Sequence, residues 1–432
     1  MTSHSVVMNA AVGRTKLNRQ QIVGFWAAWA GWLLDGMDSV IYALVLAPAL
    51  TELLPRSGLD ASPRSVASVG SLLFALFLVG WGFSFVWGPV ADRFGRTRAL
   101  AATILVYSLF TGLAAFSTTV WQLGVFRFLA GVGVGGEWAM AGTYVAEAWP
   151  EDRRKMGAGY LQTGHYFGFF VAAALNYTVG ARYGWRAMFL CGFVPVIVSI
   201  FTFSRVREPE RWRAHADAAR RTRPLAELFG PTYRRRTIVN ATLLTVAIIG
   251  LWAGAVYEPT AITTLARQAG MSAPAAARMV SLATAVLSAG TILGCLCLPM
   301  LAEKWGRRRT LALYFGGMMV TIPLAFGWAF YRSHGLTLFI VILFFMGLAG
   351  GNFAAFSLWL PEQYDTRVRA TAFAFTTSVG RFVGAGVNFA LAAAVLRAGS
   401  LGIPVALTAL AFGLGLLVIP FATETRGQRL PE

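Results

Sequence analysis

The sequence predicts an all-α membrane protein, with twelve spanning helices arranged as two six-helix bundles related by a pseudo-two-fold axis. Three observations predict it. The composition is too apolar for a water-soluble domain. About twelve apolar runs, each long enough to cross a bilayer, fill nearly the whole chain. A polar motif from the first half recurs in the second at the equivalent place.

Of 432 residues, 56% are hydrophobic and only 13% are charged, and the mean hydropathy is +0.60. A soluble domain carries about a quarter charged residues, so this chain needs lipid as solvent. Runs of roughly twenty apolar residues suffice for a hydrocarbon core of about 30 Å. They fall at 22–48, 66–90, 98–118, 121–148, 156–179 and 185–204, and again at 237–259, 278–301, 309–331, 336–360, 368–396 and 401–421. These bounds divide the chain into a polar N-terminus (1–21), an N-terminal bundle (22–204), a polar linker (205–236), a C-terminal bundle (237–421) and a polar C-terminus (422–432). The linker is rich in Arg and Ala, with Pro209, Pro224 and Pro231, and is expected to be partly helical. The first run exceeds a signal-peptide core in length and carries acidic residues, which predicts a retained helix.

The formal charge of +18 does not mark a nucleic-acid binder, because the basic residues lie between apolar runs and act as topology signals. Arg93, Arg96 and Arg98 follow span 2; Arg153, Arg154 and Lys155 follow span 4; Lys304, Arg307, Arg308 and Arg309 follow span 8; Arg367 and Arg369 follow span 10. All fall on the side of the two termini, together with Arg14, Lys16 and Arg19. The opposite loops hold scattered basic residues such as Arg56, Arg64, Arg182 and Arg332. Both termini are therefore expected in the cytosol, with the protein in the inner membrane; the two-bundle architecture is expected to act as a monomer. Cys191, Cys295 and Cys297 lie in apolar segments without accompanying histidines and are expected to pack. No metal or cofactor is expected, and no nucleophile–base pair or phosphate loop points to an enzyme. The glycines from Gly131 to Gly136 lie mid-span without a preceding strand, so they are not a nucleotide loop.

The repeat pairs Gly88, Ala91, Asp92, Arg93, Gly95, Arg96 and Arg98 with Pro299, Ala302, Glu303, Lys304, Gly306, Arg307 and Arg309 in the matching loop. A second echo pairs Glu147, Pro150 and Arg154 with Pro361, Glu362 and Arg369. Two echoes in one order imply a duplicated six-helix unit.

Charges inside spans point to function, since each costs at least about 2.5 kcal/mol to insert. Span 1 carries Asp35 and Asp38, three apart and hence on one helix face. Neighbouring carboxylates resist ionising together, so this pair and Glu137 of span 4 are the expected proton-coupling groups. The open alternative is that each is a fixed partner of an arginine. Span 11 carries Arg381, the first choice to meet a substrate carboxylate through its planar donors, with Arg127 of span 4 the second. Tyr42, Tyr144, Gln162, His165, Tyr166, Asn176, Tyr257, Asn352 and Asn388 are polar residues within spans that line a cavity or pack helices. Glu258, near the outer end of span 7, is expected to touch solvent.

The segment Gly88–Arg98 resembles the loop signature of the major facilitator superfamily, departing at Val90 and Thr97. The resemblance implies a gating latch of Gly88, Asp92, Arg93, Gly95 and Arg96, with Glu147 as partner, that holds the halves together in an outward-open state. Leu34–Asp38, Gly135–Trp138, Tyr144–Pro150, Tyr183–Phe189 and Glu208–Trp212 look like the sialate:proton symporter family of sialate, lactate and pyruvate permeases. The aromatic acid:proton symporters are next nearest. The short linker has no room for the extra helices of some sialate permeases, which favours a small monocarboxylate or an aromatic acid. The resemblance implies a proton-coupled importer working by alternating access, whose partners are the organic acid, protons and lipid. A proton-antiporting exporter and a non-transporting membrane sensor remain open.

Overall fold

The computed structural model describes residues 15–255 and 257–432; Arg14 and the side chain of Arg64 fall outside the described residues. By length and composition, nine helical segments among the described residues suffice to cross a membrane. One of them, Arg154–Arg205, spans 52 residues, about 78 Å of helix, and turns back at Gly184, whose φ of 79° suits glycine. It supplies two passes. Helices Val120–Ala148 and Arg234–Ala255, the latter continued by Glu258–Gln268, supply two more.

We number the twelve passes α1 (Arg19–Arg56), α2 (Ser68–Phe94), α3 (Arg96–Ala114), α4 (Val120–Ala148), α5 (Arg154–Leu175) and α6 (Ala181–Leu190 and Pro195–Arg205). The second half holds α7 (Arg234–Ala255 and Glu258–Gln268), α8 (Ala273–Trp305), α9 (Arg307–Tyr331), α10 (Gly335–Gln363), α11 (Arg369–Ala398) and α12 (Gly402–Phe421). The linker forms two further helices, Glu210–Arg221 and Pro224–Leu228.

Local chemistry sets the boundaries. Asn18 and Gln21 form a reciprocal capping box that starts α1, satisfying amides that a helix start leaves free. The Thr119 side chain caps α4 by accepting from the amide of Gln122. Pro48, where the sequence places the end of span 1, lies inside α1, which runs on to Arg56. Gly95 and Gly306, at φ of 122° and 92°, make the sharp turns from α2 to α3 and from α8 to α9. That backbone conformation is strained for any residue with a Cβ.

Close packing follows from the glycines of α4. A Cβ on Gly131 would come within 2.3 Å of the Phe77 carbonyl oxygen on α2, and one on Gly133 within 2.4 Å of the Tyr107 amide on α3. The run thus serves two neighbours. Large apolar side chains such as Trp26, Phe116, Ile197, Phe203, Leu396 and Leu417 lie exposed on the outside, as lipid-facing positions do. The bundles meet through α5 with α8 and through α11 with α2 and α4.

Candidate functional site

The charges predicted inside the spans are all buried. Asp35, Arg127 and Glu137 are 0% exposed, Asp38 1% and Arg381 2%. Asp38 Oδ2 lies 3.8 Å from Arg127 Nη1. The Arg127 guanidinium is held between the rings of Tyr42 and Phe77, at 4.1 and 4.3 Å from their centroids. Asp35 Oδ1 lies 3.8 Å from His165 Nδ1, and the imidazole stacks on Trp32 with centroids 4.5 Å apart. Both separations exceed a hydrogen bond. The oxygens of Asp35, Asp38 and Glu137 and the nitrogens of Arg127 have no hydrogen-bond partner among the described residues. Glu137 faces α1, because a Cβ on Gly31 would come within 2.8 Å of its Oε1.

Arg381 enters from the other bundle. It lies 12 residues into α11, about 18 Å along the axis. Its guanidinium covers the Trp81 ring of α2 at 3.6 Å, a cation–π contact across the bundle interface. Its Nε and Nη1 are buried without acceptors. Asp35 and Arg381 lie within electrostatic reach of each other.

The remaining polar candidates divide. Gln162 accepts from Ser357, which itself accepts from Trp138 at 2.9 Å, so a buried chain of hydrogen bonds joins α4, α10 and α5. Asn352 donates to Ala349 at a local turn of its own helix. Asn388 accepts from Tyr257 at 3.4 Å, Tyr166 is buried against the His165 ring, and Asn176 is half-buried in a widened helical turn. Tyr144 does not join the midplane group. Seven residues further along α4, it lines a cavity of about 360 Å³ on the side of the termini, with Gln21, Glu147, Glu208 and Arg211. Glu258 corrects the expectation of solvent contact. It is 1% exposed, because the second part of α7 folds against α8, where Thr284 donates to its Oε2 at 3.1 Å.

At the terminal side the motif residues form a buried lattice. Arg96 donates to Glu147 Oε2 and Oε1 at 3.0 and 2.9 Å and to Asp92 and the Ala91 carbonyl at 2.8 Å. Asp92 accepts from the amides of Ala370 and Thr371 and from the Thr371 hydroxyl, at 3.2, 2.9 and 2.6 Å. These amides start α11 in the other bundle, where a helix offers free donors and positive potential. Arg369, also of α11, donates to Glu147 Oε1 at 2.7 Å. Gly88 admits α11, since a Cβ there would come within 2.4 Å of the Thr371 Cα. Arg93 stands apart: it is exposed and lies over Phe94 at 5.6 Å, outside the lattice.

The second repeat builds the same lattice. Arg307 donates to both oxygens of Glu362 at 2.9 Å, and Arg154 of the first half donates to Glu362 Oε1 at 2.9 Å. Lys155 meets Glu303 at 2.6 Å. Arg154, Arg307, Glu362 and Arg369 were visible in the sequence echoes, but nothing in the sequence said that Arg154 reaches across to Glu362 and Arg369 to Glu147.

In each half, one carboxylate after the last helix caps the third. Glu208 accepts from the amides of Thr97 and Arg98, and Glu424 from those of Arg307 and Arg308. Burial pushes the Glu208 carboxyl above its ordinary range. Burial also pushes Glu424 up, but the amides of Arg307, Arg308 and Arg426 outweigh it and hold the carboxyl low. The chain then crosses the terminal face. Thr425 donates to Glu362, the Leu430 amide donates to Glu151, and Arg211 and Arg369 donate to the Leu430 and Pro431 carbonyls.

The model of the Major Facilitator Superfamily matches residues 28–388. The chain belongs to this superfamily. Membership makes it a multi-pass membrane transporter rather than an enzyme. It is 29% identical over 373 residues to the "Probable 4-methylmuconolactone transporter" of Cupriavidus pinatubonensis, covering 85% of this chain and 82% of that protein. It is 29% identical over 197 residues to the sialic acid transporter NanX of Escherichia coli, covering 46% of each. Among solved structures, the proton:xylose symporter XylE superposes with a TM-score of 0.79 at 18% identity, covering 95% of this chain and 98% of that one. That likeness extends to the fold. The Gly88–Arg98 segment lies within the matched residues, as do Trp81 and Arg381, across which the two bundles face each other.

Proposed function

We propose that this chain is a proton-coupled importer of a small organic anion, a monocarboxylate or aromatic acid, working by alternating access in the inner membrane with both termini in the cytosol. The observation that carries this reading is Arg381. A guanidinium stacked on Trp81, with two buried donors lacking acceptors, matches the paired oxygens of a carboxylate. A sialic acid transporter among the relatives supports an acid as substrate.

Asp35 is the first candidate for the proton. Asp38 has Arg127 beside it as a fixed counter-charge, whereas Asp35 lies 3.8 Å from His165 and within reach of Arg381. An ionised Asp35 competes with the substrate for the field of Arg381. Protonation of Asp35 removes the competitor, so proton and anion binding favour each other, and this reciprocity is what symport requires. Glu137 is the second candidate. The lattice of Asp92, Arg96, Glu147 and Arg369 acts as the cytosolic gate and is shut here, which leaves the outward side to open. The carrier works as a monomer, since both halves of the site come from one chain.

The test is uptake into proteoliposomes of labelled lactate, pyruvate, benzoate and sialate, with and without an inward proton gradient. Accumulation of one acid that requires the gradient supports the reading. If no acid moves while cationic or neutral compounds leave against protons, the exporter reading replaces it.

A further inference from the structure

Glu258 is a buried carboxyl that the proposed transport site does not use. One oxygen accepts from Thr284 of α8, and the other, Oε1, has no partner among the described residues. No ion pair reaches it among those residues. On the elements packed around it, the ionisable groups are directed elsewhere. Arg267 of its own helix and Arg278 of α8 are exposed. The α10 helix offers no ionisable residue along Gly335–Gly350, and the His334 that precedes it is exposed. On α11, Asn388 is taken by Tyr257, Arg381 stacks on Trp81, and Arg397 is exposed.

Glu258 opens the helix Glu258–Gln268, and an acid in a first turn is stabilised by the free amides there. That stabilisation is smaller than the cost of a charge inside the membrane, so the amides alone do not sustain a buried carboxylate with one bare oxygen. A proton on Oε1 removes the charge and leaves Oε2 to accept from Thr284.

We propose that Glu258 is a second proton-binding carboxyl, set in the C-terminal bundle and separate from Asp35, Asp38 and Glu137. It lies beyond the 22 residues of Arg234–Ala255 from the gate lattice, in the half of the bundle remote from the termini. Its proton exchanges with the side that the lattice leaves free to open. A part for this proton in the transport cycle rests on the symporter reading; its presence on Glu258 does not.

The experiment is infrared difference spectroscopy of the purified protein in lipid, titrated from acid to alkaline pH, following the C=O stretch of protonated carboxyls. The wild type is expected to show such a band at neutral pH. Glu258→Gln should remove one component of it that Asp35→Asn, Asp38→Asn and Glu137→Gln leave in place. Thr284→Val should shift its frequency without abolishing it, and this variant decides the matter if Glu258→Gln does not fold. Spectra of Glu258→Gln, or of Thr284→Val, that coincide with wild type at every pH overturn the proposal. Loss of proton coupling in the proteoliposome assay with the band intact removes the symporter reading and spares the site.

Discussion

Replacing Glu147 with glutamine leaves two buried arginines, Arg96 and Arg369, facing one carboxylate, Asp92, where the native lattice balances two against two. Removing one partner of a buried ion pair costs about 3–5 kcal/mol, because the charge left behind has lost its counter-charge without regaining water. This cost falls on the state in which α11 closes against α2 and α4. Once the bundles part on this side, water reaches the arginines and the penalty largely disappears. Taking about 3 kcal/mol as the difference and about 1.4 kcal/mol per decade, the ratio of closed to open should fall by roughly a hundredfold. Spin labels at Arg93→Cys and Lys304→Cys, exposed and equivalent positions of the two repeats, in a background lacking the three native cysteines, report the gap. The short-distance population seen in the parent should give way to a longer one in Glu147→Gln. A ratio changed by less than about threefold would mean that the lattice orients helices without governing the gate.

Other outcomes follow from the same geometry. Arg381→Lys keeps the charge but loses the planar pair of donors; with a charged hydrogen bond worth about 1.5–3 kcal/mol, affinity for the transported acid should drop ten- to a hundredfold in a binding titration. Removing residues 427–432 deletes the Leu430 and Pro431 contacts with Glu151, Arg211 and Arg369 but keeps Glu424 and Thr425. At about 1 kcal/mol per ordinary hydrogen bond, the closed population of the same spin-label pair should fall severalfold or more. Glu424 is held low by backbone amides, so its contribution to stability is complete above the ordinary carboxyl range and is lost as the pH falls through its lowered folded value. Thermal unfolding in detergent should therefore show a steeper acid loss for wild type than for Glu424→Gln.

The sequence carried the membrane class, the duplication and the family, because lipid imposes length and apolarity on every span and the motif repeats at a fixed place. It also carried the buried charges, since Asp35, Asp38, Arg127, Glu137 and Arg381 are conspicuous within apolar runs. Their partners were less legible. Periodicity places Asp35 and Asp38 on one face, but which arginine each meets depends on the packing of α4 and α11 against α1 and α2. Tyr144 read as a cavity or packing residue because it is a polar aromatic within a span, yet two helical turns beyond Glu137 carry it to the terminal face. Glu258 read as exposed because it stands near Pro259 at a span end. The second part of α7 instead returns it to α8, a long-range contact that local sequence does not encode.

The repeated lattices are alike in connectivity and in the burial of their glutamates, and unlike in the burial of the loop-motif acid, which determines how they share the gate. In each, a helix-start arginine of one bundle reaches the glutamate at the end of the fourth pass of the other: Arg369 to Glu147, and Arg154 to Glu362. In the first copy the acid of the loop motif, Asp92, is buried and bonds the amides that start α11. In the second, its counterpart Glu303 has a side chain 42% exposed and meets Lys155. An exposed pair of that kind contributes about 0.2–1 kcal/mol and weakens with salt, whereas the Asp92 bonds exist only when α11 is docked and dry. The duplication therefore supplies a buried cross-bundle arginine–glutamate pair twice, and the loop-motif acid adds a buried cross-bundle contact only in the copy built on Asp92. Salt should weaken the Lys155–Glu303 pair and leave the Asp92 bonds and the buried Glu147 and Glu362 pairs in control of the gate, because screening acts on charges in water and reaches buried ones far less.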